Sequence, residues 1–225
     1  MYNFILSRLR KPSKGFDPIS KSYAKKYFEE TYGSKRRLDA TLISLLKQYK
    51  TLTDAEIVDL GGGPGHYSLI LAKEGAKVHY HDISHNFIKL AVEKAENEGY
   101  SFTYTIDYID HVKGPYDVIF NRGAFNYCFD DKKFVQILYN ELKSEGIYFG
   151  ILVNENQSFR KEKTPWLSKQ TLFKIQFWLN DKLNIKIGHP FTSKKKIEKI
   201  FRASAFEILK LEDYGIQTIV IARKR

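Results

Sequence analysis

The chain has 225 residues, of which 43% are hydrophobic, 15% aromatic and 28% charged. This composition is typical of a folded globular chain and excludes an intrinsically disordered one. The formal net charge of +11 would suit an anionic partner, but the cations are 28 Lys and only 9 Arg. Because base reading and bidentate phosphate binding favour Arg, nucleic acid is a possible partner but not the favoured one.

Cysteine content and hydropathy indicate the cellular compartment of the protein. Cys128 is the one cysteine of the sequence, which excludes an internal disulfide and a cysteine-based zinc site and fits a reducing compartment. Basic residues follow the short apolar start rather than precede it, the wrong order for a signal peptide. No run reaches the ~20 apolar residues of a membrane helix. We expect a cytoplasmic protein without a transmembrane segment. The sequence leaves its oligomeric state undetermined.

Residues 1–34 form the first predicted unit, an N-terminal arm followed by a helix. Pro12, Gly15 and Pro18 interrupt the arm among basic residues. From about residue 20 to 32, Tyr23 and Tyr27 recur at helical spacing. This aromatic face either packs in the core or closes over a ligand, and the sequence leaves both readings open. A second helix is predicted at about residues 35–49.

From residue 56 onward, short apolar strands alternate with helices. Strands are predicted at residues 56–60, 76–81, 101–105, 116–120 and 146–153, with helices near 67–72, 86–98 and 131–142. This alternation favours a doubly wound α/β fold, with helices on both faces of a parallel sheet. Such sheets bind ligands at the carboxyl ends of their strands.

Residues 154–191 interrupt the alternation and are predicted to form an inserted cap that contacts the substrate. The cap mixes aromatic side chains, including Trp166, with Lys and Arg. A basic amphipathic helix capped by Ser193 follows at residues 193–203, and strands at 206–211 and 217–222 close the chain around a turn at 213–215. The core is therefore assigned to residues 35–153 and 192–225.

A glycine-rich loop follows the first predicted strand. Glycines let the backbone approach a ligand closely, and the amides of the following helix can bind it. Asp82 lies 21 residues after Gly61, where an acid can accept both ribose hydroxyls of an adenosine. His66 occupies the place of the third glycine of the dinucleotide fingerprint, which counts against NAD and an oxidoreductase. Asp107 could accept from the adenine amine, with Ile83 and Tyr108 on the two ring faces.

Residues 36–153 and the closing hairpin resemble the class I methyltransferases. The sequence IVDLGGGPG at residues 57–65 is similar to their first motif, and LAKEGAKV at 71–78 with Asp82 is similar to their second. The resemblance implies a Rossmann-like, seven-stranded, mostly parallel sheet whose last strand is antiparallel. It also implies S-adenosylmethionine as the cofactor. The candidate cofactor-binding residues are Asp59, Gly61, Gly62, Gly63, Gly65, Asp82, Ile83, Asp107, Tyr108 and Asn121.

The sequence says less about the residues that bind the methyl acceptor. Methyl transfer is a displacement that requires alignment, and a hydroxyl acceptor also needs a base, for which we nominate His189. Arg122, Tyr127 and Trp166 are the candidate substrate residues. Arg122 could pair with a carboxylate or phosphate of the substrate, or form a structural salt bridge. The sequence lacks the Asn-Pro-Pro-aromatic signature of DNA amino-methylating enzymes and the acidic triplet of the catechol branch, so we expect no metal.

These observations favour methylation of an O or N atom of a polar small molecule, such as a sugar, nucleotide-sugar or related metabolite. An RNA or protein methyltransferase would use the basic arm and cap to hold a polymer. A protein that binds S-adenosylmethionine without catalysis would need only the cofactor-binding residues. A membrane-surface role lacks a clean amphipathic period in the cap.

Overall fold

The structure is a computed structural model that describes residues 11–33, 37–154 and 169–225. Trp166 and the other residues of the predicted cap from 155 to 168 lie outside these described residues. The division of the chain into arm, core and cap therefore stays a prediction. Within the described ranges no helix is long and apolar enough to cross a membrane.

Within the described residues, seven strands form one sheet in the order β3-β2-β1-β4-β5-β7-β6. Their bounds are Glu56–Leu60 (β1), Lys77–Asp82 (β2), Thr103–Ile106 (β3), Tyr116–Arg122 (β4), Leu142–Val153 (β5), Phe206–Tyr214 (β6) and Gln217–Lys224 (β7). Pairing is parallel from β3 through β5, whereas β7 runs antiparallel to both of its neighbours. The predicted fold class, with its antiparallel last strand, is confirmed.

Helices cover both faces of the sheet. They are Lys21–Gly33 (α1), Arg37–Lys47 (α2), His66–Lys73 (α3), His85–Asn97 (α4), Asp131–Asn140 (α5), Lys169–Trp178 (α6) and Lys194–Ala203 (α7). Alternate strand residues face opposite sides. Ile57 and Phe120 accordingly pack with α2 and α3, while Val58 and Ile119 pack with α5 and α7. A layer of buried apolar side chains thus lies on each face of the sheet. The edge at which the parallel strands end, between these layers, is called the ligand-facing edge.

β3 begins at Thr103 rather than at residue 101. Three other predicted strand boundaries were wrong because strand pairing extends further than the apolar pattern. β5 begins at Leu142 rather than at residue 146, since Leu142 already pairs with Tyr116 before a register shift. β4 continues through Arg122. Tyr214 pairs with Gln217 in the closing hairpin, so β6 includes part of the turn predicted at 213–215.

The described part of the N-terminal arm is attached to the start of α4. Asp17 accepts hydrogen bonds from the backbone amide of Asn86 at 2.9 Å and from the hydroxyl of Ser84 at 3.1 Å. The side-chain amide of Asn86 donates in turn to the carbonyl of Ile19 at 2.8 Å. Because α1 also packs against α4, the arm lies directly beside the loop that follows β2.

Candidate functional site

The glycine loop connects β1 to α3 through three residues in the left-handed region, Gly61 (φ 76°), Gly63 (φ 53°) and Gly65 (φ 75°). A Cβ on Gly61 would lie 2.3 Å from the Cβ of Ala124, and one on Gly65 2.4 Å from the Cβ of Ala91. The lack of a side chain at Gly61 and Gly65 therefore lets Ala124 and Ala91 pack directly against the loop. A Cβ on Gly63 would meet no atom of the described residues within 4 Å, so the backbone of Gly63 borders open space.

This difference predicts unequal effects of two alanine substitutions. We expect Gly63→Ala to cost about 1–2 kcal/mol of unfolding free energy from its positive φ alone. Gly65→Ala should cost about 1–3 kcal/mol more, because Ala91 must move. Urea unfolding of both variants measures the two costs. Equal destabilisation would contradict the packing role of Gly65.

Asp59 lies behind the loop rather than in the open space. Its carboxylate is 3% exposed and accepts a 2.6 Å hydrogen bond from the hydroxyl of Ser68 on α3. Burial raises the pKa of Asp59 to about 6 despite this bond. The structure therefore gives Asp59 a role in fixing α3 to β1, and its contact with the cofactor stays a prediction. Gly62 packs against Tyr80, since a Cβ there would lie 2.5 Å from the ring.

Asp82 ends β2 at the same edge and contacts the glycine loop. One carboxylate oxygen accepts from the amide of Gly63 at 2.9 Å, and the other from the amide of Ser84 at 2.9 Å. Burial raises the pKa of Asp82 to about 6, although both amides favour the ionised form. An ionised carboxylate offers about four lone-pair positions, so Asp82 can still accept two hydroxyl groups.

Asp107 follows β3, the next strand along the edge, and its amide donates to the carbonyl of Asp82 at 3.1 Å. One of its carboxylate oxygens accepts from the amide of Tyr108 at 2.8 Å and contacts the ring nitrogen of His111 at 2.9 Å. Ile83 and Tyr108 directly follow these two acids in the chain. The structure thus brings the acids to neighbouring loops, whereas adenine binding by Ile83, Asp107 and Tyr108 stays a prediction.

Asn121 and Arg122 form the end of β4, next to β1. The side-chain amide of Asn121 donates to the carbonyl of Leu60 at 2.7 Å, while its buried oxygen lacks a hydrogen-bond partner within the described residues. The guanidinium of Arg122 lies 5.1 Å from the ring centroid of Tyr67. Both side chains therefore contact residues that flank the glycine loop.

Tyr127 and His189, predicted separately from distant parts of the chain, meet in the structure. Their ring centroids are 4.6 Å apart, and the carbonyl of His189 accepts from the side-chain amide of Asn126 at 3.4 Å. Partial burial raises the pKa of Tyr127, as do the nearby phenols of Tyr23 and Tyr27 and the carboxylate of Asp82. The aromatic face of α1 is thus beside the ligand-facing edge.

Sequence reasoning missed several contacts of this site. Tyr80 donates to the carbonyl of Gly63, and Tyr32 of α1 donates to the carbonyl of Pro64 at 3.3 Å. Asp17 binds Ser84, the residue whose amide holds Asp82. The contact of Ser68 with Asp59 could have been predicted, because Ser68 is a polar residue in the mostly apolar helix α3. The contacts of Asp17 and Tyr32 could not, since their partners lie far away in sequence.

A parallel α/β sheet with a glycine loop after its first strand and an acid after its second defines a nucleotide-cofactor enzyme of the doubly wound class. Residues 53–204 match the family model of the methyltransferase domain. This match covers more than half of the chain, which therefore belongs to that methyltransferase family. The predicted class I S-adenosylmethionine-dependent methyltransferase is confirmed.

Comparison with individual proteins agrees with this membership. The tRNA 5-carboxymethoxyuridine methyltransferase of Escherichia coli is 25% identical over 146 residues, which make up 60% of this chain and 54% of that protein. The chain thus spans about half the length of the curated relatives it matches.

Solved structures show the same fold. An S-adenosylmethionine-dependent methyltransferase from Aquifex aeolicus aligns over 92% of this chain and 100% of its own, with 18% identity and a TM-score of 0.62. Magnesium protoporphyrin IX methyltransferase from Synechocystis, with bound S-adenosylhomocysteine, aligns over 84% of this chain and 81% of its own, with 18% identity and a TM-score of 0.62. At these identities the likeness is one of fold.

Proposed function

We propose that this chain transfers the methyl group of S-adenosylmethionine to an oxygen or nitrogen atom of a polar small molecule, such as a sugar or nucleotide-sugar. The contact between Tyr127 and His189 carries this proposal. It joins the loop after β4 to the segment before α7, beside Asp82 and the tyrosines of α1. Residues from three parts of the chain thus meet beside the ligand-facing edge, an arrangement that suits a small acceptor better than an extended polymer.

Two features of the edge fit the cofactor. The buried oxygen of Asn121 lacks a donor in the described part of the chain, and the backbone of Gly63 borders open space. Asp82 would hold the ribose, Asp107 the adenine, and the glycine loop the amino-acid portion. S-adenosylmethionine supplies an activated methyl group on a sulfonium centre. The protein must then orient the acceptor, exclude water and, for a hydroxyl acceptor, remove a proton.

His189 is the proposed general base. For a hydroxyl acceptor, we expect His189→Gln to lower kcat by about 100- to 10,000-fold, the usual contribution of a positioned base. The affinity for S-adenosylhomocysteine should not change, because the variant keeps Asp82 and the glycine loop. Single-turnover methyl transfer and calorimetry measure the two quantities.

His79→Gln is the matched control, because His79 lies within β2 and its ring nitrogens contact the hydroxyls of Thr103 and Thr105 at 2.8 and 2.9 Å. If both variants lost kcat equally, His189 would have no special role as a base. An unchanged kcat in His189→Gln would refute that role directly.

The acceptor class is tested with radiolabelled S-adenosylmethionine and a panel of sugars, nucleotide-sugars and small phenolic or amino metabolites. The proposal predicts transfer to a member of this panel that Asp82→Asn lowers strongly at a cofactor concentration well below saturation of the variant. Transfer to bulk tRNA without transfer to any metabolite would overturn it. Binding of the cofactor with no transfer to either pool would indicate a binding protein.

The competing candidate is RNA methylation, which the Escherichia coli relative acting on tRNA supports. Exposed Lys132 and Lys133 at the start of α5, with Lys195 near the start of α7, also lie at the ligand-facing ends of their helices. A polymer held by these cations would bind with an affinity that falls steeply with salt. A small acceptor would show little such dependence, so a salt series separates the candidates.

A further inference from the structure

The described part of the predicted cap carries an exposed apolar surface. Five of its large apolar side chains are between 47% and 54% exposed. They are Leu172, Ile175 and Trp178 of α6, and Leu183 and Ile185, which follow α6 closely. We call these five side chains the outer patch. Single exposed apolar residues are ordinary, whereas a group of them on one element marks a surface that binds a partner.

The spacing within α6 places three members of the outer patch on one side of the helix. Leu172, Ile175 and Trp178 recur at every third residue and are all exposed. Phe173 points the other way and packs on Phe191, with ring centroids 5.0 Å apart. Because α6 is apolar on both sides, its sequence shows no clean amphipathic period. A helix that is apolar all round is normally buried, so the exposed side of α6 fits a second apolar surface.

The outer patch is attached to the core of the protein by hydrogen bonds. The amide of Ile185 donates to the carbonyl of Leu179 at 3.1 Å, which keeps Ile185 beside the end of α6. The side-chain amide of Asn180 donates to the buried carboxylate of Asp131 on α5 at 3.0 Å. The structure therefore presents the five apolar side chains from one fixed place on the surface.

The charge around the outer patch indicates which partner it fits. Residues 169–185 contain three lysines and one acid, Asp181, and the whole chain has a formal net charge of +11. Lys174 is exposed and lies one helical turn before Trp178, and Lys182 is exposed as well. Apolar side chains flanked by cations match an anionic membrane surface, where lipid phosphates attract the cations and the apolar groups enter the layer beneath. An RNA would offer no apolar layer to this patch.

We propose that the outer patch binds the surface of an anionic lipid membrane. Leu172, Ile175 and Trp178 enter the boundary between headgroups and acyl chains, while Lys174 stays at the level of the phosphates. Trp178 suits this boundary because its ring is apolar and its N–H group can remain among polar headgroups. The inference concerns where the protein binds and not which molecule it methylates, so it can fail independently of the proposed acceptor class.

Flotation of the full chain with lipid vesicles tests the proposal. The vesicles contain phosphatidylcholine alone or with about one-third phosphatidylglycerol, which makes the surface negative. We expect wild type to bind the anionic vesicles. Ile175→Glu should weaken this binding about tenfold or more, because an apolar contact is lost and a carboxylate would enter the boundary. Tyr104→Glu is the matched control, since Tyr104 is 52% exposed on the edge strand β3 and gains the same charge; it should bind within about twofold of wild type.

Two further measurements separate insertion from attraction by charge. Lys174→Gln should weaken binding to the anionic vesicles about fivefold, the value of one cation near such a surface, and leave binding to neutral vesicles unchanged. In a Trp166→Phe background, the fluorescence of Trp178 should shift to shorter wavelength when anionic vesicles are added. An unchanged affinity for S-adenosylhomocysteine in every variant would show that the fold is intact.

Three results would overturn the proposal. The first is that wild type does not bind the anionic vesicles. The second is equal weakening by Ile175→Glu and Tyr104→Glu, because binding would then depend on net charge alone. The third is a dimer in sedimentation equilibrium that Ile175→Glu dissociates, without vesicle binding, which would assign the outer patch to a second copy of this chain.

Discussion

Replacing Asp131 by Asn is expected to lower the free energy of unfolding by about 3–5 kcal/mol, the cost of breaking a buried ion pair from one side. Asp131 is fully buried at the start of α5. It accepts from the ammonium groups of Lys186 at 2.6 Å and Lys196 at 3.0 Å. The amide of Asn180 and the hydroxyl of Thr192 also donate to it, at 3.0 and 2.7 Å. The substitution would leave two buried cations without a carboxylate.

Two comparisons make this prediction specific. Asp130→Asn changes the neighbouring acid, which caps α5 by accepting from the amides of Lys132 and Lys133, and Asn is as good a cap. We expect Asp130→Asn to stay within about 0.5 kcal/mol of wild type, as surface substitutions usually do. Adding Lys186→Met to Asp131→Asn removes one uncompensated charge and should restore part of the loss. Urea unfolding of the variants measures all of these values.

The pH dependence provides a further check. Burial alone would raise the pKa of Asp131, but the charges of Lys186 and Lys196 outweigh it and hold the pKa well below its ordinary value. The stability from this carboxylate is therefore present above the unfolded pKa of about 4 and is lost as pH falls further. Asp131→Asn should remove this acid-induced loss. If Asp131→Asn left the dependence of the unfolding free energy on acidic pH unchanged, the ion cluster would contribute little to stability.

This cluster could not have been predicted from the sequence. Its members come from α5, from the π-helical segment Leu179–Leu183, from the loop that contains Lys186, and from both sides of the start of α7. No fixed spacing relates them, and Lys196 is one of several lysines in a helix that the sequence predicted only to be basic and amphipathic. Only tertiary packing turns Lys196 inward, where its ammonium group also bonds the carbonyl of Asn180 at 2.6 Å.

The proximity of Asp82 to the glycine loop was predictable because its determinants are local. The strand, glycine loop and helix from Glu56 to Lys73 are contiguous, and Asp82 ends the very next strand. Parallel pairing of β1 with β2 then fixes the carboxylate beside the loop. The closing hairpin shows the limit of local signals. Asp213 and Tyr214 favour a turn by composition, yet they pair with Thr218 and Gln217 of β7.

The second large effect is expected at Asp82. Asp82→Asn should weaken S-adenosylhomocysteine binding by about 100- to 1000-fold, because two ribose hydroxyls lose a charged acceptor and each such bond contributes about 1.5–3 kcal/mol. Asn keeps the size of the side chain but has one acceptor oxygen, so the variant also loses one of the two hydrogen bonds from the amides of Gly63 and Ser84. Calorimetric titration measures the change. An affinity within about fivefold of wild type would show that Asp82 does not hold the ribose.

Asp82 also makes cofactor affinity depend on pH. Burial raises its pKa to about 6 in the free protein, and binding of two hydroxyl donors requires the ionised form. The wild-type affinity should therefore fall about tenfold for each pH unit below 6, while that of Asp82→Asn should be nearly constant. Asp59, whose pKa is also raised to about 6 by burial, is the matched control. Asp59→Asn should keep the pH dependence, because Asp59 binds Ser68 behind the loop.

The raised pKa values of Asp59 and Asp82 have the opposite consequence for the unliganded fold. An acid whose folded pKa is raised stabilises the fold below its unfolded pKa, and this contribution is lost as pH rises through the folded pKa of about 6. At neutral pH the free protein thus keeps a buried, ionised Asp82 at a cost in stability. Binding of ribose hydroxyls offsets this cost, so saturating S-adenosylhomocysteine should raise the unfolding midpoint more at pH 7 than at pH 5. Equal shifts at both pH values would contradict this coupling between the charge of Asp82 and cofactor binding.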